Sequence, residues 1–192
     1  MSAPLIGERY RGAEGHSGYL LRQASYEFRG AMELALQAQG LTAAQYTALS
    51  VLARDPGLSG ADLARACNTT PQATNGVLAT LEREGLVERR PHPTHGRILQ
   101  ATLTGEGQQR LEAATPAVRA LEAAVEDGFT PAQIAVIKAW LIQTAQRMER
   151  TSPASARSQT RAPGQTPAVP ASRITKAQVK GPTHRSMGGT SA

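Results

Sequence analysis

Apolar residues recur every three or four positions in two long segments that flank the centre of the chain. In residues 17–39 they fall on one helical face, and Gly40 follows where a helix can end. Near the end of the segment 105–149 the same spacing recurs after Thr130. The two seams comprise Leu21, Ala24, Phe28, Ala31, Ala35 and Ala38 in the first segment, and Ile134, Ile137, Leu141, Thr144 and Met148 in the second.

Between these segments, residues that favour helix starts stand before further helical patterns. Thr42 with Gln45 forms a capping box, and Ser59 and Thr70 are N-cap residues of the next two helices. Thr104 is expected to cap a fifth helix, which we expect Pro116 to kink or break. The sequence therefore predicts a mainly helical chain.

Two of these helices are short and are joined by only Asn68–Thr70, which is typical of a helix-turn-helix. Residues 86–90 and 97–103 then predict two strands around the Pro-rich turn 91–96. We therefore expect a winged helix-turn-helix, with a DNA-binding core at 42–104. Because such a core closes on itself, the first and last helices, 17–39 and 105–149, are expected to form an α-helical dimerisation region with a second copy.

Charge is distributed unevenly along the 192 residues, which contain 21 Lys and Arg against 15 Asp and Glu. Residues 150–192 hold seven basic side chains and no acidic one, and they lack Leu, Phe, Tyr and Trp. We expect them to be a disordered basic tail, and residues 1–16 to be a loose arm. Residues 17–149 form the predicted domain. Residues 1–149 are almost neutral, so nucleic-acid binding by the folded part depends on where its charges lie.

The start of the second helix of the helix-turn-helix carries the side chains expected to meet DNA. Gln and Asn can bond adenine edges, and Thr can bond phosphate or contact a thymine methyl group. The predicted wing concentrates arginines, with Arg97 nearest the tip for the minor groove. The expected DNA-binding residues are Thr70, Gln72, Thr74, Asn75, Arg89, Arg90 and Arg97.

Features of enzymes, metal sites and membrane segments are missing from the sequence. It has no phosphate-binding loop or nucleophile elbow, and His92 and His95 are interpreted as turn residues. We expect no enzyme activity, cofactor or metal. Cys67 is expected to be a small buried residue rather than a redox switch. With no signal-peptide core and no apolar stretch of membrane length, we expect a cytoplasmic protein without membrane contact.

The run from Leu41 to Gly107 resembles the MarR family of bacterial transcriptional regulators. The resemblance rests on the recognition-helix string Thr70–Arg90, on Gly96-Arg97 and on Leu103-Thr104 followed by Gly107. It implies a homodimer that binds a pseudo-palindromic operator on double-stranded DNA, usually as a repressor. The sequence departs from the family pattern at two positions. His95 precedes Gly96-Arg97 where family wings often carry an acid, and Gly76 stands in the recognition helix where a basic residue is frequent.

The resemblance also implies a small aromatic or lipophilic effector that releases DNA. Aromatic and cationic side chains that can line its pocket are Tyr19, Arg22, Tyr26 and Tyr46. The alternative is that these tyrosines only fill a helical junction. For the whole chain, two further alternatives are a non-specific DNA-binding or chromosome-organising protein driven by the basic tail, and a winged helix used for protein contact.

Overall fold

The computed structural model describes residues 3–94 and 96–151. The chain divides into two compact units, Met1–Ile134 and Ala135–Ala192, and each is considered by itself. The expected disordered tail lies outside the described residues from 152 onward. The secondary-structure elements are α1 (Ser17–Leu36), α2 (Ala43–Arg54), β1 (Leu58–Ser59), α3 (Gly60–Ala66), α4 (Pro71–Arg83), β2 (Val87–Pro91), β3 (Leu99–Leu103), α5 (Gly105–Glu126) and α6 (Pro131–Thr151).

Helix starts lie where the capping residues predict them. Thr42 and Gln45 form both hydrogen bonds of a capping box at α2. Ser59, Thr70 and Thr104 each accept a hydrogen bond from the backbone N–H three residues later. These bonds satisfy donors that the first helical turn leaves without partners, so the starts are determined locally.

The core of the first unit lies where α2, α3 and α4 meet the small sheet. Its largest fully buried side chains are leucines from these helices, from the end of α1 and from the position just before β2. The mainly helical, winged helix-turn-helix class predicted from the sequence is confirmed. The largest of these side chains are Leu36, Leu49, Leu52, Leu63, Leu78, Leu81 and Leu86.

The sheet is antiparallel with the strand order β1-β3-β2. β1 was not predicted, because two residues are too few to show an alternating pattern. Its Leu58 pairs with Ala101 of β3. β2 runs on through Pro91, which was expected in the turn, and β3 begins only at Leu99. Arg97 therefore lies in the turn and not in a strand, contrary to expectation.

Pro116 does not break α5, which continues from Gly105 to Glu126. Proline removes one N–H from the helical ladder and crowds the preceding turn. The hydroxyl of Thr115 donates to the carbonyl of Leu111 at 2.7 Å, so this carbonyl has a side-chain partner beside the proline. The expected break is wrong: the proline removes the donor to the carbonyl of Glu112, and the helix continues on both sides of it.

Residues 3–16 pack on α1 instead of forming a loose arm. The Arg11 side chain donates to Gln23 Oε1 at 2.9 Å and to the carbonyl of Pro4 at 3.1 Å, and Gln23 Nε2 donates back to the Arg11 carbonyl. An ideal Cβ on Gly12 would lie 2.1 Å from the carbonyl oxygen of Gly7. The arm was expected to be loose because such cross-contacts leave no periodic pattern in the sequence.

Candidate nucleic-acid interface and adjoining cavity

The turn of the helix-turn-helix depends on Asn68, whose φ of 52° lies in the left-handed region. Asparagine tolerates this conformation better than most residues because its short side chain can bond locally. Within the turn, Asn68 N donates to the carbonyl of Arg65 at 3.2 Å, and Thr69 N donates to that of Ala64 at 2.9 Å. The chain therefore reverses sharply at the end of α3 and starts α4 at Pro71.

The first turns of α4 present uncharged polar side chains to solvent. Gln72 and Asn75 are exposed, as the sequence predicts. Thr70 is also exposed, and its Oγ1 accepts from Ala73 N at 3.2 Å. Gln and Asn side chains can each form two hydrogen bonds to adenine in the major groove. The geometry of α4 is therefore compatible with base contacts from Gln72 and Asn75.

Thr74 faces the interior, so its expected outward position is wrong. It is 3% exposed, and among the described residues its hydroxyl oxygen has no hydrogen-bond partner. It continues the buried stripe of Leu78 and Leu81. The spacing of four and then three residues is that of one helical face, and this signal in the sequence was sufficient to place Thr74 inside.

The arginines of the wing differ in their surroundings. Arg90 is 76% exposed and pairs with Glu88 at 2.9 Å. Arg89 is 25% exposed and pairs with Glu82 at the end of α4. Arg97 is exposed in the turn and forms no ion pair with a described residue. Of the three, Arg90 and Arg97 have the accessibility that a phosphate contact requires.

The wing turn is closed in part by histidine. His92 Nδ1 accepts a hydrogen bond from Thr94 N at 3.1 Å, and His92 N donates to the carbonyl of Ile98 at 2.7 Å. His92 thus lies in the turn, in agreement with the sequence. His95 falls outside the described residues.

The four side chains expected around an effector are not brought together. Tyr19 contacts Tyr10 of the N-terminal arm edge to face, with ring centroids 5.8 Å apart, and the Arg22 guanidinium lies 5.5 Å from the Tyr19 ring. Tyr26 is 75% exposed, and Tyr46 packs against the core. Within the described residues, Tyr19 contacts the arm and Arg22 lies over the Tyr19 ring, so a pocket formed by all four side chains stays a prediction.

A cavity of about 330 Å³ lies between α1, α2 and the helix-turn-helix. Its volume is within the range of small-molecule sites. Arg29 and Cys67 line it, and so does Thr74, whose hydroxyl oxygen is itself buried. The lining residues are Ser25, Phe28, Arg29, Met32, Glu33, Ala43, Ala44, Ala48, Cys67, Asn68, Thr69, Ala73, Thr74 and Val77.

Two titratable groups of the helix-turn-helix have shifted pKa values. The Ser59 hydroxyl, which bonds the Asp62 carboxylate, lowers the pKa of Asp62, and the Arg65 guanidinium adds to this effect. Burial raises the pKa of the Cys67 thiol, which therefore stays protonated at neutral pH. Cys67 is only partly buried, although it packs against the core as expected of a small apolar residue.

The described ranges 3–94 and 96–151 contain neither a candidate metal site nor a candidate membrane span. No three His, Cys, Asp or Glu side chains are grouped so that they can hold a metal ion. None of the helices in these ranges combines the length and apolar character needed to cross a membrane.

Known proteins resemble the chain in sequence over the same region. Residues 39–98 match the model of the MarR family. The HTH-type transcriptional repressor Rv2887 of Mycobacterium tuberculosis is 41% identical over 116 residues, which are 60% of this chain and 84% of that protein.

Solved structures share the fold. The Rv2887 complex with salicylic acid has a TM-score of 0.55 at 38% identity, over 69% of this chain and 98% of that one. A MarR mutant from Escherichia coli, solved with operator DNA, has a TM-score of 0.62 at 22% identity, over 66% of this chain and 91% of that one. The second similarity concerns the fold alone.

The combination of fold and sequence identity settles the family and the general class of function. Rv2887 and the other curated relatives are named as transcriptional repressors or regulators, and proteins of this kind bind DNA and are not enzymes. The chain belongs to the MarR family of DNA-binding transcriptional regulators.

Proposed function

We propose that this protein is a homodimeric repressor that binds a pseudo-palindromic operator and releases it when a small organic effector binds. The observation that carries the proposal is the exposed polar start of α4, with Gln72 and Asn75, in a chain 41% identical to a transcriptional repressor. In a helix-turn-helix this part of the second helix meets base edges in the major groove.

Within the proposed interface, the side chains have different tasks. Gln72 and Asn75 contact bases, and Thr70 at the helix start contacts phosphate, where the helix dipole favours an anion. Arg90 binds the DNA backbone, and Arg97 in the wing turn enters the minor groove. Thr74 has no direct role, because it is buried.

The proposed dimer is formed by α1 and α6. On α6 no residue is buried, and Ile137 and Leu141 of the predicted seam are each 40% exposed. Trp140 on the same helix is 44% exposed. Exposed apolar side chains concentrated in one element are typical of an interaction surface. A second copy of the chain offers the same surface, as a two-fold symmetric dimer requires.

Substitutions in the recognition helix and in the wing are expected to have different effects on DNA binding. Gln72→Ala removes a base contact, so preference at one operator position should fall by about 1–3 kcal/mol. Arg97→Ala removes a charge contact, so affinity should fall on every sequence. Affinities measured by fluorescence anisotropy on the operator and on single-base variants distinguish the two effects.

The matched control is Arg22→Ala, which removes one positive charge from α1 and leaves α4 and the wing unchanged. It should alter the affinity less than Arg97→Ala does. An equal loss on all sequences for Gln72→Ala would contradict its role in base recognition.

The cavity beside α4 is the proposed effector site. Arg29 offers a cation, and Phe28 and Val77 offer an apolar wall, which together suit a small aromatic acid. Salicylic acid is bound in the solved complex of Rv2887. Because Ala73 and Val77 of α4 line the cavity, a ligand bound there contacts the recognition helix directly.

Salicylate is the probe for this site. We expect it to release operator DNA from the full chain, and Arg29→Met to raise the half-maximal concentration at least about tenfold, since a charge-assisted hydrogen bond contributes about 1.5–3 kcal/mol. The matched control is Arg22→Met, because Arg22 lies on the same helix but does not line this cavity. Equal shifts for the two variants would contradict the assignment of the cavity.

A further inference from the structure

Arg89 and Arg90 are neighbours on β2 but lie on opposite faces of the sheet. Side chains alternate along a strand, so Arg89 shares a face with Val87, which is 2% exposed, and Arg90 shares the other face with Glu88. The inner face is the one that the core covers. This alternation explains why Arg89 is 25% exposed and Arg90 is 76% exposed.

The guanidinium of Arg89 is bound to a single carboxylate oxygen of α4. Its Nε donates to Glu82 Oε2 at 2.9 Å, and a terminal nitrogen donates to the same oxygen. Two donors from one rigid, planar group restrict both the distance and the angle between the elements that they join. The contact therefore links the middle of β2 to the last turn of α4.

Glu82 is unusually placed for an acid. It lies in the last turn of α4, which ends at Arg83, and the carbonyl end of a helix disfavours a negative charge. A negative charge on a DNA-binding domain also repels phosphate. Both effects are unfavourable, so a carboxylate at this position needs a compensating interaction. Its one ion pair in the described structure is with Arg89.

We propose that Arg89 is a positioning residue, whose ion pair with Glu82 holds the wing at a fixed angle to the recognition helix, and that it does not bind DNA phosphate. The inference rests on the proposed operator binding. It assigns the wing's DNA contacts to the accessible Arg90 and Arg97. It also explains why an acid, Glu82, stands on a surface that otherwise favours basic residues: its carboxylate holds Arg89.

Whether Glu82→Gln raises or lowers the affinity for the operator tests this inference. If Arg89 binds phosphate, removing its acidic partner frees it and also removes a repulsive charge, so affinity for the operator rises. If Arg89 positions the wing, the neutral amide, which bonds the guanidinium more weakly than a carboxylate does, no longer fixes the angle, and affinity falls by about tenfold in our expectation. The measurement is the operator affinity of the 192-residue chain by fluorescence anisotropy.

Glu88→Gln is the matched control, because it removes one acid from the wing's other ion pair. It frees the exposed Arg90, so operator affinity should stay equal or rise. Thermal unfolding should change by less than about 2 °C for both variants, since exposed ion pairs contribute little to stability. A loss of affinity with unchanged melting identifies positioning rather than unfolding.

Exchanging the two charges gives a second, independent readout. The double variant Glu82→Arg with Arg89→Glu re-forms the pair, so its affinity should return to within about threefold of wild type. The salt dependence of binding should stay the same, whereas loss of a phosphate contact lowers the slope of log K against log salt by about 0.9.

The possible failures are distinguishable. No operator binding by wild type would reject the proposed function itself. Operator binding that strengthens in Glu82→Gln, or a double variant that stays weak with a reduced salt slope, would overturn only the positioning role of Arg89.

Discussion

Replacing Leu141 with aspartate is expected to convert the protein from a dimer to a monomer and to weaken operator binding by about 100-fold or more. Leu141 lies in the apolar seam of α6 and is 40% exposed. In the dimer, Leu141→Asp would place a charge in an apolar interface, where the carboxylate has no compensating partner. Without the dimer, the two winged helices no longer bind as one unit, and the advantage of linked half-sites is lost.

Gln143→Asp is the matched control on the same helix. Gln143 is exposed and lies about half a turn away from Leu141 around the helix axis, opposite the seam. This variant should remain a dimer with operator affinity close to that of wild type. Sedimentation velocity at micromolar concentration gives the oligomeric state. A Leu141→Asp protein that stays dimeric, or a wild-type protein that is monomeric, would contradict the proposed dimer.

Gly107→Ala is expected to destabilise the fold by about 3 kcal/mol, because it overfills a closely packed site. An ideal Cβ at Gly107 would lie 2.0 Å from the carbonyl oxygen of Leu86. That oxygen is held by Thr104 N at 3.1 Å, while Leu86 N donates to the Leu81 carbonyl. The clash is therefore between two backbone segments that cannot separate without breaking these bonds.

The effect of the same substitution on helix propensity has the opposite sign, because it stabilises the folded state. Alanine in a helix is favoured over glycine by about 1 kcal/mol. Gly105→Ala, two residues earlier in α5, has nothing within 4 Å of the added Cβ and shows this effect alone. Thermal unfolding followed by circular dichroism should show Gly107→Ala melting about 6–12 °C lower and Gly105→Ala unchanged or slightly higher. Similar melting of the two variants would refute the backbone clash.

The close approach at Gly107 also gives a physical reason for the motif Leu103-Thr104 followed by Gly107. The Thr104 hydroxyl donates to the Gly85 carbonyl at 2.7 Å, and its oxygen accepts from Gly107 N at 3.0 Å. These bonds join the end of the recognition helix, the end of the wing and the start of α5. The segment that carries the family resemblance is therefore the junction of three elements.

Local interactions explain which parts of the fold could be predicted from the sequence. The helix starts at Thr42, Ser59, Thr70 and Thr104 depend on bonds within three residues, so the sequence contains everything that determines them. The strand β1 depends on pairing with β3, more than 40 residues away, and could not be predicted from its two residues.

The candidate site was predicted less completely because burial and pairing are set by distant segments. Gln72 and Asn75 could be placed on the exposed face from helical spacing. The same spacing puts Thr74 on the buried face with Leu78 and Leu81, where the structure has it. The partner of Arg89 is on another element, and the cavity around Arg29 is formed by three separate helices and a turn, so neither could be derived from local pattern.

Selection of bound sequences from a random pool of DNA duplexes tests the central claim most directly. The 192-residue chain is used at about 0.15 M salt, where contacts to phosphate alone give only weak binding. We expect an enriched inverted repeat with half-sites about 10–10.5 base pairs apart, bound by one dimer. Recovery of sequences without enrichment, with equal affinity for unrelated duplexes, would contradict sequence-specific regulation and favour non-specific binding through the basic residues 150–192.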